Sequence, residues 1–100
     1  EKLKTLEKLA ELGVEDRVID QTLTKLLDYA IERHRIDLNA IGVKLRSLEE
    51  QFGMVSDLFY EKFHRGELGD VEAFFCWDAL VEMQRRIDRR LEVLLVGAST

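Results

Sequence analysis

Two histidines, one cysteine and four clustered arginines are the side chains of this chain whose types and spacing invite a chemical reading. His64 stands three residues after Glu61, and Glu-x-x-His is the spacing that gives two ligands to one metal in carboxylate-bridged helical bundles. Such a site needs a second copy of the motif. His34 has Ile31 three residues before it, so a di-metal centre would have to borrow ligands from another chain. A histidine near a helix C-terminus serves equally well as a surface cation, and no metal or cofactor is expected. A helical RNase of the HEPN type needs an arginine several residues before its histidine, to handle the phosphate and the 2′-hydroxyl. Leu27, Asp28 and Tyr29 precede His34, while Asp57, Leu58 and Phe59 precede His64, so no catalytic residue is assigned and no enzyme is expected.

Cys76 is the only cysteine, which excludes an intramolecular disulfide and a thiolate zinc site built from one chain, and fits a reducing cytoplasm. Flanked by Phe75 and Trp77, it is expected in an apolar knot, behaving as a small hydrophobe. Arg85, Arg86, Arg89 and Arg90 cluster on the polar side of a predicted helix and could grip RNA, DNA or an acidic protein surface. The plainer account is a solvated face, with the arginines favoured by the helix dipole and pairing with Glu82. A net charge of -5 argues against a chain-wide nucleic-acid footprint, so nucleic acid is the alternative partner here.

One stretch must position everything else. Residues 15–52 read as a single helix of about 57 Å, and its main apolar stripe runs Ile19, Leu23, Leu26, Ala30, His34, Leu38, Ile41, Leu45, Leu48 and Phe52, widened by Leu27 and Ile31. His34 lies on that stripe and is expected to reach a hydrogen-bond partner at a helix seam. Around the same helix, by about 140° at 100° per residue, runs a narrower stripe of Val18, Thr22, Tyr29, Ile36, Ala40 and Val43. A helix with two apolar faces needs two partners. Gly42 is its weak point, and could mark the close approach of another helix.

The remaining helices are predicted over residues 2–12, 56–65 and 70–96. The first is a small amphipathic helix carrying Leu3, Leu6, Leu9 or Ala10, and Leu12, ended by Gly13, and its order depends on docking. Ser56 is a candidate cap for the third, whose inward side carries Leu58, Phe59 and Phe63, and Asp70 for the fourth, with a stripe of Ala73, Trp77, Leu80, Gln84, Ile87, Leu91, Leu94 and Leu95. Gly66 and Gly69 bracket the tight link between them. The expected fold is all-α, one domain over 1–100: a long antiparallel hairpin with a short crossbar helix, dimerising into a helical bundle. Seven of the eight aromatic residues fall at the crossbar corner, which should be the folding core.

At that corner the sequence resembles a family of small archaeal and bacterial helical proteins. Their long charged helix ends in Phe-Gly or Tyr-Gly, followed by a turn of the form F/Y-E-K-F-x-x-G-E-L-G-D and then F-F-x-W-x-A-L. Tyr60 to Phe63, Gly66 to Asp70, and Phe74 to Leu80 with Trp77 match, within about the last 60 residues. Some members are assigned as antitoxin-like partners encoded beside a small toxin, so the resemblance implies a protein that holds a partner protein and catalyses nothing. Many antitoxins also carry a DNA-binding half or a disordered tail. Neither pattern is visible here, which weakens a transcriptional role.

Composition agrees with these expectations: 46% apolar, 35% charged and no proline, suited to long helices. No apolar run approaches the roughly 20 residues of a membrane span, and no signal-peptide pattern opens the chain, which begins at Glu1 without a methionine. The expected location is cytoplasmic. The expected partners are a second copy, through Tyr29, Ile36, Ala40 and Val43, and a protein such as a small toxin.

Overall fold

The computed structural model describes residues 2–13 and 16–98, without the side chains of Lys2, Leu6, Leu9 and Ala10. The expectations placed on Leu6, Leu9 and Ala10, and the first residue of the helix predicted over 15–52, lie outside what is described. Four helices follow in order: α1 (Lys2–Glu11), α2 (Asp16–Phe52), α3 (Ser56–His64) and α4 (Glu72–Ala98). Among the described residues there is no strand, and the chain is all-α.

α2 and α4 pack along one another, α3 packs on α4, and α1 docks on α2. The chain as a whole is a rod of 61 × 21 × 20 Å. Its ends are unequal because 37 residues of helix reach about 55 Å and 27 residues only about 40 Å. α2 ends and α4 begins at the same corner, so the first turns of α2 project beyond the end of α4, which lies near Leu23 and Leu27. Beside that end Leu23 and Leu26, on the predicted main stripe, stay substantially exposed, while Ile31, Ile41 and Leu45, further along the pair, are buried.

Two glycines turn the corner. Gly53 (φ 64°) ends α2, its N–H and that of Met54 both donating to the Glu49 carbonyl at 2.8 and 3.2 Å. Gly66 (φ 75°) ends α3, with Gly66 N–H to Phe63 O at 3.1 Å and Glu67 N–H to Lys62 O at 3.0 Å. Both sit where a side chain would strain the left-handed backbone.

The core collects at this corner: Ile41 and Leu45 of α2, Phe59 of α3, and Trp77 and Val81 of α4. Phe59 and Trp77, both at 0% exposure, lie ring on ring, 3.9 Å apart and 3° from parallel. Phe52 stacks on Trp77 at 5.6 Å and meets Phe74 edge-on at 5.1 Å, while Phe63 stacks on Phe59 at 5.3 Å. Val81, one turn after Trp77, belongs to this core although the stripe read from the sequence passes it by.

Several local expectations are corrected. Ser56 is not the N-cap: that residue is Val55, which has no polar side chain to cap with. Ser56 opens α3 instead, buried, with its N–H on Glu49 Oε2 at 2.7 Å and its hydroxyl accepting from Trp77 Nε1 at 3.0 Å. Asp70 is exposed and lies two residues before α4, whose entry is a turn from Phe74 N–H to Val71 O at 2.9 Å. Gly69 has no left-handed φ and open space around it. Leu58 and Cys76 are exposed. Each is adjacent in sequence to a fully buried aromatic, and on a helix that turns it about 100° away from the core.

Candidate functional site

Polar side chains on α3 and α4 meet in a seam. Residues 57, 60 and 64 of α3 and 78, 82 and 85 of α4 sit three or four apart, so each set forms one line along its helix. Across the seam His64 Nε2 lies 2.6 Å from Asp78 Oδ1, the Tyr60 hydroxyl donates to Glu82, and Arg85 reaches Asp57 at 3.7 Å while its guanidinium covers the Tyr60 ring at 4.0 Å. The Tyr60–Glu82 hydrogen bond, with some desolvation, raises the phenol above its ordinary value of 10.0.

This geometry rearranges the chemistry read from the sequence. Glu61 does not join His64; it turns to Arg65 at 3.6 Å. His64 instead comes together with Asp78 and Glu82, their ligand atoms within 4.8 Å of one another. Each of the three already has a partner, since Asp78 takes His64 and Glu82 takes Tyr60, and together they fasten α3 to α4. Glu82 is thereby diverted from the arginines expected to pair with it. Arg85 is committed to α3, which leaves Arg86, Arg89 and Arg90 as the exposed basic residues of the cluster.

His34 also departs from expectation. It is half-buried on the inward side of α2, and its Nδ1 is buried without a hydrogen-bond partner among the described residues. Gly42 does not mark a close helix approach: a Cβ built there would meet only the Arg46 guanidinium, at 3.4 Å.

The outer stripe of α2 stands where the sequence put it. Tyr29 is 70% exposed, Val43 55% and Ile36 50%, and Ala40 is exposed beside them. Among the described residues, no other helix covers them. α3 lies on another flank of α2, where Ser56 meets Glu49 and where a cavity of about 260 Å³ is lined by Gly42, Arg46, Val55 and Ser56. At 100° per residue that flank lies roughly 120° from the stripe. In the corner matched by the sequence motif, Phe59 and Trp77 are by contrast buried, Phe63 and Phe74 pack half-buried against them, and Phe75 stays exposed.

No protein family, curated protein or solved structure matches the chain. Among the described residues, no helix is long and apolar enough to cross a membrane.

Proposed function

We propose that this chain is a protein–protein interaction module whose long helix offers its outer stripe to another protein, and that it acts as the antitoxin-like partner of a small toxin, as its corner motif implies, with no reaction of its own. The observation that carries the reading is how much surface the chain exposes. Its accessible area is 7606 Å², whereas a compact monomer of its 11.7 kDa exposes about 5,900 Å². Its radius of gyration is 19.6 Å, against about 13 Å for a compact domain of this length. The excess, about 1,700 Å², is roughly twice what each partner gives to a standard interface. The Tyr29, Ile36, Ala40 and Val43 stripe lies on that exposed surface. The polar groups that converge in one place, Tyr60, His64, Asp78 and Glu82, are tied up in fastening α3 to α4.

Co-expression with the product of the adjacent gene tests this. Co-purification of the two proteins, relief of the neighbour's toxicity, and loss of both with Ile36→Glu are the expected results. Failure to co-purify together with unrelieved toxicity would overturn the antitoxin reading. Nucleic-acid binding through Arg86, Arg89 and Arg90 has less support, because Arg85 is occupied; it would announce itself as affinity that falls steeply with salt.

A further inference from the structure

We infer that a second copy of this chain docks on the outer stripe, α2 against α2 and antiparallel, about a two-fold axis that passes Ile36. This rests on the interaction reading above and names one occupant of the same surface.

The stripe is arranged symmetrically about Ile36. Tyr29 lies seven residues before it and Val43 seven after, so in an antiparallel pair Ile36 faces itself and Tyr29 faces Val43 of the second copy, large against small. Seven-residue spacing is what keeps one seam of a helix against another along its length, with a drift of only about 20° per heptad. Ala40, next along the seam, lets the backbones approach. The same register brings Lys25, eleven residues before the axis, within about three residues, or 4.5 Å, of the level of Glu50, fourteen after it. Both are exposed, they lie on the same flank of the stripe, and symmetry makes the opposite-charge pair twice.

Area and continuity agree. α2 is unbroken helix from Asp16 to Phe52. Each copy exposes about 1,700 Å² beyond a compact monomer, enough to give roughly 800 Å² to a partner and still present surface elsewhere. α3 lies on a different flank and does not obstruct the approach.

Sedimentation of the full chain at tens of micromolar should give a dimer. Ile36→Glu should weaken it roughly 30-fold or more, the scale of an interface hot spot, with helix content unchanged by circular dichroism. Register is read by oxidative cross-linking in a Cys76→Ser background. Ile36→Cys should link to itself; Tyr29→Cys alone should not, but mixed with Val43→Cys it should. A wild-type monomer would overturn the proposal, as would a dimer in which Ile36→Cys stays unlinked. The two readings fail separately. A monomer that still loses its toxin partner on Ile36→Glu leaves the interaction module standing without self-docking, and a dimer that ignores the neighbouring protein does the reverse.

Discussion

Replacing Ser56 with alanine removes one oxygen atom and should destabilise the whole corner. That oxygen is the acceptor for the Trp77 indole N–H at 3.0 Å, inside a core where Trp77 is fully buried. A buried donor left without an acceptor costs about 1–3 kcal/mol, more than the net worth of the bond itself. The Ser56 N–H still reaches Glu49, so the entry to α3 survives and the loss is confined to the indole. Urea denaturation followed by circular dichroism would measure it, with Trp77 fluorescence as a second probe, because Trp77 is the chain's only tryptophan. The discriminating step is a double-mutant cycle with Trp77→Phe, which deletes the donor. If the hydrogen bond is the cause, Ser56→Ala costs far less in the Trp77→Phe background than in the wild type. Equal losses in both backgrounds, or a loss under about 0.5 kcal/mol in the wild type, would show that Ser56 does not hold the indole.

Other consequences are simpler to read. Gly42→Ala should stabilise α2 by about 0.5–1 kcal/mol, because the position is mid-helix with only a flexible Arg46 tip in contact, and a fall in melting temperature would contradict that. Cys76, exposed and beside the core, should react with a thiol reagent in native protein about as fast as in urea; strong protection would place it inside after all. Tyr60 has its folded-state pKa raised by its hydrogen bond to Glu82, so the stability it contributes is complete below pH 10 and lost as the pH climbs through the raised value. Tyr60→Phe should flatten that alkaline limb, and an unchanged alkaline profile would discount the bond.

The helices were legible in the sequence because their apolar spacing repeats over many turns, as from Ile31 through Ile41 and Leu45 to Phe52, and because Gly53 and Gly66 can take the left-handed turn that ends a helix. Single-residue assignments were less legible where two structures compete for one side chain. Ser56 has the chemistry of a cap, yet Trp77, 21 residues later, claims its hydroxyl; a long-range contact of that kind leaves no periodic mark. Cys76 stands between Phe75 and Trp77 in sequence, but a helix turns successive side chains about 100° apart, so it is exposed beside a buried neighbour.

The seam between α3 and α4 shows the same limit from the other direction. Glu61-x-x-His64 is local and can be seen in one glance along the chain, but the groups that meet His64 come from α4 and converge only when the hairpin closes. Their order along α4 (Asp78, Glu82, Arg85) is an i, i+4, i+7 line, a regularity present in the sequence and ordinarily read as surface charge. What turns it into a seam is the facing line of Asp57, Tyr60 and His64 on α3, running the other way, so that Asp57 meets Arg85, Tyr60 meets Glu82 and His64 meets Asp78. Two polar lines of matching spacing and reversed order on consecutive helices are therefore a signal for an antiparallel polar contact. The outer stripe of α2 has the corresponding apolar form, with Tyr29, Ile36 and Val43 as a line that matches itself when reversed.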